Sequence, residues 1–410
     1  MATTKKENIL IITPYLPSFD EPYEQQNHYI TKFLFYYGLS WVKAGHEVMM
    51  VQCISKYPAI FSKAVNLSEK FIKSNRLNVF TQKQNETKFA FYEHEGVKIL
   101  RMPISKYIPH RDFFDFVKKR YIKNVLKKIE KYEFCPTIVL SDYLTPSAFI
   151  ADTIRNNSKT PFFLILHRTD RFYFNKKEKE YKRIIENSSG LLHRSYIQAE
   201  LFRSIGCEHK NENYIFSGIP DDIDFGYKRD NVKKLIFVGS LKKTKNVQSI
   251  LEALAACRKN HHYELDIVGS GPYHEDLKII ISVLGIGDIV KFSGRMDRAE
   301  VLKKMRSSDC LILISRETFG MVYIEAMSQG CIVIGSKGQG IDGVIIDGLN
   351  GFLTEDMTPE ALAEKLSYIS ELPVSKISEI SGNAIETAGK FKDSILAEEL
   401  MNNMKEILSK

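Results

Sequence analysis

Two glutamates, Glu317 and Glu325, lie on either side of a predicted helix start. The apolar run CLILIS ends at Ser315, which places Glu317 on the loop at the carboxyl end of a predicted strand. The segment from Phe319 to Val322, which includes Gly320 and Met321, then forms the turn into a helix that contains Glu325. The first turn of a helix offers unpaired N–H groups and a partial positive charge, which suit a diphosphate.

Carboxylates on each side of a bound diphosphate would accept hydrogen bonds from hydroxyl groups. Glu317 is placed to receive those of a sugar, and Glu325 is placed to receive two hydroxyls of a ribose. A plain structural explanation is open as well, because glutamate in a first helical turn is a common stabilising residue. The pair alone therefore does not decide between a site and a stabilised helix.

The elements that position this pair follow a strand–helix rhythm through the second half of the chain. From Lys233 onward, apolar runs such as KLIFVGSL, YELDIVG and CIVIGS alternate with amphipathic helical segments. This alternation predicts a doubly wound α/β domain, in which ligands lie outside the carboxyl ends of the strands.

The first half of the chain predicts a domain of the same class. The run NILIITP, a helix over 28–44 and the run HEVMMVQC indicate a right-handed βαβ unit. A chain of 410 residues is long enough for two domains. We expect a first domain over 1–216, a second over 217–391, and a terminal helix over 392–410 that packs across both. No GxGxxG follows the first strand, which disfavours a dehydrogenase.

The segment from Glu317 to Leu353 resembles the Glu-x7-Glu segment of retaining family 4 glycosyltransferases. Its residues fit E-x-F-G-x-x-x-x-E-A-M-x-x-G, a strand, and then a D-G-x-N-G-F-L turn. The resemblance implies the GT-B fold, in which two Rossmann-like domains face a central cleft. It also implies that the donor of the sugar is a nucleotide sugar.

The resemblance extends to other strand ends of the second half. FVGSLKKTKNV is similar to the family's G-R-L-x-x-x-K-G turn, with Lys245 at the lysine that holds the donor diphosphate and Ser240 where arginine is usual. Arg295, Arg316 or Lys243 would have to supply the second cation. The strand ends IVGSGP and FSGRM resemble nucleotide-binding loops of the family. The residues that the resemblance assigns to donor binding are Gly239, Ser240, Gly269, Arg295, Met296, Phe319, Gly320, Met321, Val322 and Glu325.

In the first half, His167 ends the run PFFLILH and resembles the family histidine that lines the donor sugar. A histidine that caps a strand for structural reasons is the alternative. The family's Gly-Gly loop after the first strand is missing, and Gln25 and Gln26 stand near its position. Glu24, Gln25 or Asn27 would then face the acceptor instead.

The resemblance implies a retaining transfer in which Glu317, Lys245 and His167 carry the chemistry. We expect no essential metal and no cofactor, since the nucleotide sugar, with UDP the expected nucleotide, is a substrate. The expected acceptor is a glycan or a lipid-linked glycan in surface polysaccharide synthesis. The alternatives are another GT-B chemistry, such as a nucleotide-sugar epimerase or phosphorylase, and a non-catalytic glycan-binding subunit.

The charge of the chain is unevenly distributed: the net charge is +8, and the excess of Lys and Arg lies in the first half. The segment 112–132 predicts a basic helix with several aromatic residues, which would either contact an anionic membrane or be an ordinary surface helix. No nucleic-acid-binding motif accompanies this charge. The six scattered cysteines and the absence of a long apolar run favour the cytoplasm, with peripheral contact at the inner face of the membrane.

Overall fold

A computed structural model describes residues 6–20, 32–57, 88–107 and 112–410 of the chain. The chain divides into two units. The first comprises Met1–His193, Phe202–Ile215 and Ala397–Lys410, and the second comprises Arg194–Leu201 and Phe216–Leu396. Most of the terminal helix therefore belongs to the first unit, together with Trp41, whose Nε1 donates to the carbonyl of Ala397 over 2.9 Å.

The first unit is built on a sheet of eight strands within the described residues, in the order β3-β4-β2-β1-β5-β6-β7-β8. Among the strands described in this sheet, only the pair β3–β4 is antiparallel. The strands are β1 (Asn8–Thr13), β2 (Glu47–Lys56), β3 (Ala90–His94), β4 (Val97–Ser105), β5 (Ile138–Asp142), β6 (Phe162–Ile165), β7 (Gly190–His193) and β8 (Glu212–Tyr214).

Helices of the first unit connect these strands, as the apolar–polar periodicity predicts. They are α1 (Phe33–Lys43), α2 (Asp115–Lys131), α3 (Phe149–Ser158), α4 (Asp170–Lys176) and α5 (Glu178–Asn187). The next helix, α6 (Tyr196–Arg203), contributes most of its residues to the second unit. In β1 and β5 every apolar side chain is buried, as expected for parallel strands covered on both faces.

The second unit contains a parallel sheet of six strands in the order β11-β10-β9-β12-β13-β14. These strands are β9 (Lys234–Val238), β10 (Glu264–Val268), β11 (Val290–Gly294), β12 (Cys310–Ile312), β13 (Ile332–Ser336) and β14 (Phe352–Thr354). The helices are α7 (Val247–Cys257), α8 (His274–Leu284), α9 (Arg298–Arg306), α10 (Met321–Ser328), α11 (Pro359–Ser370) and α12 (Val374–Gly389). The terminal helix α13 (Asp393–Ser409) begins in this unit, and most of it belongs to the first unit. In each sheet, later strands are added on both sides of the first strand of the unit, β1 or β9. This strand order confirms the predicted doubly wound α/β class.

The basic helix α2 places its apolar positions in the interior of the first unit. Tyr121, Val125 and Ile129 follow one another at helical spacing and are buried, and Phe113 just before the helix is buried as well. Along most of its length α2 is therefore a surface helix with a core face. No helix among the described residues combines the length and the apolar character needed to cross a bilayer.

Candidate functional site

The strand order of the second unit reverses between β9 and β12, which are adjacent in the sheet. Strands β10 and β11 continue from β9 in one direction, and β13 and β14 continue from β12 in the other. In an open α/β sheet, the loops at the carboxyl ends of two such strands diverge and leave a crevice for a ligand. The loops after β9 and β12 carry Lys245 and Glu317, so the topology itself brings these two predicted residues to one place.

Backbone hydrogen bonds join the ends of three adjacent strands beside this crevice. The N–H of Gly239, after β9, donates to the carbonyl of Val268 over 3.0 Å, and the N–H of Gly269, after β10, donates to the carbonyl of Gly294 over 2.7 Å. A Cβ atom on Gly269 would lie 1.8 Å from the carbonyl oxygen of Gly239, and φ of Gly269 is 147°. These loops therefore approach each other closely because glycine is present.

Gly269→Ala is expected to destabilise the second unit by about 3 kcal/mol, since the new methyl group overlaps backbone that no rotamer change moves away. Chemical denaturation of the purified variant measures this loss. Ser270→Ala, at the next position in the same loop, is the matched control. A variant with an unchanged unfolding midpoint would contradict the close packing of the two loops.

Lys245 and Glu317 form an ion pair between Lys245 Nζ and Glu317 Oε1. The same Oε1 accepts a hydrogen bond of 2.8 Å from the hydroxyl of Ser315, which follows β12. The Lys245 side chain is 26% exposed and that of Glu317 is 15% exposed, so both are accessible from the crevice. A cation and a carboxylate in direct contact supply one group for a phosphate and one for hydroxyls or a developing positive charge.

Asn246 fixes the loop that carries Lys245. Its backbone adopts the left-handed conformation, with φ of 55°, which asparagine tolerates better than most residues. Its side-chain amide donates to the carbonyl of Ile314 over 3.1 Å and to that of Met357 over 2.7 Å. Asn246 thus joins the lysine loop to the segment that follows β12 and leads to Glu317.

Gly320 forms the entry to α10, which begins at Met321 as the sequence predicts. Gly320 has φ of 93°, and a Cβ atom there would lie 2.6 Å from the ring of Tyr323. Tyr323 is fully buried and donates its hydroxyl hydrogen to the carbonyl of Leu313, which ties the helix start to the end of β12. The N–H groups of Met321 and Val322, in the first turn, have no acceptor within the helix and suit an anion.

Glu325 lies farther along α10 and is paired with Arg298, a residue that the sequence analysis did not single out. Arg298 Nη2 lies 2.8 Å from Glu325 Oε1. Burial raises the pKa of Glu325 above its usual value, and the Arg298 guanidinium opposes that rise. Arg298 begins α9, whose start is fixed by reciprocal hydrogen bonds between Asp297 and Glu300. The sequence signal for this helix start is the capping pair D-x-x-E.

In the first unit, the strand order reverses between β1 and β5, and His167 belongs to a polar cluster at this edge. His167 Nε2 lies 2.5 Å from Asp142 Oδ1, and the hydroxyl of Thr13 donates to Asp142 Oδ2 over 2.7 Å. The ring of Tyr143 stacks on the imidazole with a centroid distance of 3.7 Å. Asp142 therefore holds one ring nitrogen of His167, and Tyr143 fixes the plane of the ring.

Asp170 supports the same cluster through hydrogen bonds from two backbone N–H groups. Its carboxylate accepts the backbone N–H of His167 over 2.8 Å and that of Leu144 over 3.2 Å, and the side chain is buried. Burial raises the pKa of Asp170 from 3.8 to about 7, although His167 and the two N–H groups favour the charged form. Protonation of Asp170 is thus expected near neutral pH.

The raised pKa of Asp170 predicts a pH-dependent stability of the first unit. The native state binds this proton more tightly than the unfolded chain, so stability is greatest below the unfolded value and falls as the pH rises from about 4 to about 7. Relative to Asp170→Asn, the wild-type melting temperature is expected to fall by several degrees between pH 5 and pH 8. A constant difference between the two proteins across that range would contradict the shift. Asp152→Asn, also a buried aspartate of this unit, is the control.

Residues 220–388 match the model of the family described as glycosyl transferases group 1. The match covers less than half of the chain. Over 127 residues, the chain is 35% identical to N-acetyl-alpha-D-glucosaminyl L-malate synthase of Bacillus anthracis. The aligned segment covers 31% of this chain and 33% of that protein. Over 161 residues, it is 30% identical to alpha-monoglucosyldiacylglycerol synthase of Streptococcus pneumoniae, with 35% and 36% covered.

Among solved structures, Anabaena HepE in complex with UDP aligns with a TM-score of 0.69 at 16% identity, over 97% of this chain and 100% of that chain. This likeness shows the fold, which is GT-B, as the sequence predicts. The aligned segments span between one third and just under two thirds of the lengths of the first curated relatives.

The second unit brings together Lys245 and Glu317, and it places several of the residues predicted to bind the donor at neighbouring strand ends. Gly239, Ser240 and Gly269 lie at adjacent strand ends, and Lys245 contacts Glu317. Phe319 contributes backbone only, because its side chain is buried against Phe216 and Phe391.

Lys243, Arg295 and Arg316 were the three cations predicted to compensate for Ser240, which stands where the family has arginine. Lys243 lies with its Nζ 5.4 Å from the ring centroid of Tyr273. Arg295 and Arg316 are exposed, and Met296 packs against the core. The proposed replacements therefore stay predictions, and Glu24, Gln25, Gln26 and Asn27 lie outside the described residues.

One acidic motif of the second unit was not among the predicted site residues. Asp222 and Asp224 form an Asp-x-Asp triplet in the segment after Pro220, and carboxylates are ligands that divalent cations such as Mg²⁺ prefer. Here Asp224 Oδ2 is 2.7 Å from Arg306 Nη1, and Asp222 is exposed. Within the described residues, these aspartates do not belong to a group of three side chains that would hold a metal ion.

Proposed function

We propose that this protein is a retaining glycosyltransferase that moves a sugar from a nucleotide sugar to a glycan or to a lipid-linked glycan. The observation that carries the proposal is the contact of Lys245 with Glu317 at the reversal point of the second sheet, beside the start of α10. The group 1 family match over the same residues supports a nucleotide-sugar donor.

Each side chain at this crevice has a proposed role. Lys245 and the N–H groups at the start of α10 bind the donor diphosphate and stabilise its charge as it leaves. Glu317 orients the sugar and stabilises the positive charge that develops at the anomeric carbon. Glu325 binds the ribose, and Arg298 holds its carboxylate in place.

Retention follows from the resemblance to the Glu-x7-Glu family. In such a transfer the acceptor hydroxyl approaches on the face that the diphosphate leaves, and a phosphate oxygen takes the hydroxyl proton. The protein then supplies position and charge rather than a strong base. His167, fixed by Asp142 and Tyr143, is proposed to contact the donor sugar from the first unit.

The identity of donor and acceptor rests on chemistry and likeness together. The Anabaena neighbour is a UDP complex, which supports UDP as the nucleotide. The streptococcal relative is named for a glucosylated diacylglycerol, which supports a lipid-linked acceptor. We therefore place the enzyme in bacterial surface polysaccharide synthesis, in the cytoplasm and at the inner face of the cell membrane.

A screen of nucleotide sugars by thermal shift tests this proposal, because a ligand that binds only the folded state raises the melting temperature. We expect one UDP-sugar to give the largest shift and to be consumed when an acceptor is added. Calorimetry that detects no nucleotide sugar at all would favour a non-catalytic glycan-binding subunit instead.

Incubation with the donor alone separates transfer from the other GT-B chemistries. An epimerase converts the donor without an acceptor, whereas a phosphorylase needs free phosphate. A transferase is expected to leave the donor almost intact over the same period, because water is a poor substitute for a bound acceptor hydroxyl.

Activity is expected to be unchanged by EDTA, because Lys245 and the start of α10 would neutralise the leaving diphosphate without a metal ion. Initial rates with and without chelator, and with added Mg²⁺, measure this. A strict requirement for Mg²⁺ would contradict it, and Asp222→Asn would then show whether the Asp-x-Asp triplet holds the ion.

A further inference from the structure

Four large aromatic side chains of the first unit are exposed around the N-terminal end of α2. Tyr107 is 44% exposed, Phe114 47%, Phe116 67% and Phe172 49%. The ring centroids of Tyr107 and Phe114 are 6.0 Å apart, and those of Phe114 and Phe116 are 5.9 Å apart. A contiguous exposed apolar patch on a protein surface marks an interaction site more often than isolated apolar residues do.

These aromatic residues are not part of the core face of α2. Tyr121, Val125 and Ile129 occupy that face and are buried. Phe116 lies on the opposite side of the helix, where Arg120, Lys123 and Lys127 recur at helical spacing. The outer face of α2 is thus basic along its length and aromatic at its N-terminal end.

A cavity of about 430 Å³ connects Phe114 with α4 and α5. Phe114, Tyr173, Lys176 and Lys177 contribute to its lining. Lys176 Nζ lies 4.1 Å from the ring centroid of Phe172, so a cation sits directly above the fourth exposed aromatic ring. Phe114 therefore connects Tyr107 and Phe116 to the cavity, and Lys176, on the same cavity, connects it to Phe172.

The charge of this surface is strongly positive. In 115–127 and 168–179 the exposed acidic side chains are those of Asp115 and Glu178. The exposed basic side chains of the same two segments are Lys119, Arg120, Lys123, Lys127, Arg168, Arg171, Lys176 and Lys179. An anionic partner is the one that this excess of cations attracts.

We infer that this aromatic–basic surface docks on an anionic lipid bilayer. The surface is Tyr107, Phe114, Phe116 and Phe172 with the eight basic residues just named. Aromatic rings favour the boundary between headgroups and acyl chains, and Lys or Arg near an anionic leaflet gains affinity by about fivefold per residue. The inference rests on the proposed function for its setting, since a lipid-linked acceptor is presented at such a surface.

The mode of contact differs from that of a helix lying flat in the headgroup region. The apolar face of α2 is committed to the core, so only the aromatic tip enters the bilayer while the basic outer face stays in the aqueous layer. Binding of this kind is reversible and weakens with salt, because exposed charges are screened beyond about 10 Å at 0.1 M.

Co-sedimentation of the full chain with vesicles tests the inference. Wild type is expected to bind vesicles of phosphatidylcholine and phosphatidylglycerol, and not vesicles of phosphatidylcholine alone. Arg120→Ser with Lys123→Ser is expected to weaken binding about 25-fold, from two lost cations. Phe116→Ser with Phe172→Ser is expected to weaken it at least as much.

Matched variants separate this surface from general effects of charge and hydrophobicity. Lys259→Ser with Lys291→Ser removes the same charge from exposed positions of the second unit, and Ile279→Ser with Val283→Ser removes exposed apolar side chains there. Both controls are expected to bind as wild type does. The thermal shift with nucleotide sugars is expected to be the same in all four variants, which shows that they are folded.

Equal binding of all variants, or of wild type to neutral and anionic vesicles alike, would overturn the inference. Retention on a soluble acidic glycan without vesicle binding would also overturn it and would make the surface a glycan site. The measurement of donor binding tests the proposed function separately. A protein that binds vesicles but no nucleotide sugar would refute the proposed function and would still support the membrane-binding surface.

Discussion

Glu317→Ala is expected to lower the rate of sugar transfer by about a thousandfold, in the range found when one group that stabilises a developing charge is removed. Glu317 lies just before the start of α10 in the chain, and its Oε1 contacts both Lys245 Nζ and the Ser315 hydroxyl. Without the Glu317 carboxylate, the Lys245 ammonium group is still partly exposed and can be hydrated by water. The fold is therefore expected to persist. UDP affinity should be retained or increased, because the diphosphate no longer competes with a carboxylate for Lys245.

Single-turnover rates and calorimetry with UDP on the purified variant test both parts of this expectation. Glu364→Ala, at an exposed position of α11, is the control for the loss of a glutamate. Glu317→Gln preserves the hydrogen bond with Ser315 and removes the charge, so it shows how much of the effect is electrostatic. Turnover of Glu317→Ala close to that of wild type would refute the assignment.

Lys245→Ala is expected to lower transfer by about a hundredfold and to weaken UDP binding about tenfold, since a charge-assisted contact with the diphosphate is lost in both states. In the proposed site Ser240 stands where the family has arginine, so more of the diphosphate charge is expected to fall on Lys245. Lys242→Ala, in the same loop and exposed, is the control.

The double variant Lys245→Ala with Glu317→Ala provides a second test of the role of Lys245. Lys245 and Glu317 contact each other, so their effects are expected to be less than additive in the double variant. Strict additivity would mean that the two side chains act independently, and wild-type UDP affinity in Lys245→Ala would remove the lysine from the diphosphate site.

The sequence was sufficient to predict the class of the fold, whereas the donor site stays a prediction. Parallel strands buried on both faces are continuous apolar runs, and a glycine at the end of such a run marks the loop that follows. Because strand order reverses beside the central strand, the loops that carry Lys245 and Glu317 had to meet. These predictions depend on local patterns and on topology, which the sequence expresses directly.

Contacts between distant segments were beyond the sequence. Arg298 pairs with Glu325 through the packing of α9 beside α10, and nothing in the local sequence of either helix specifies that contact. Asp142 faces His167 across neighbouring strands, and Asp170 accepts N–H groups from two loops. In the basic helix α2, Tyr121 is buried and Phe116 is exposed, and the residue types alone do not show this difference.

The close approach of Gly239 and Gly269 determines how well the position between β9 and the lysine loop tolerates substitution. The spacing of those strand ends is set by main-chain atoms, so the side chains between them contribute little to holding the loops in place. A substitution at Ser240 is therefore not expected to disturb the strand ends that flank it. Exchange of this one side chain should change the contacts offered to a bound anion while the fold stays intact.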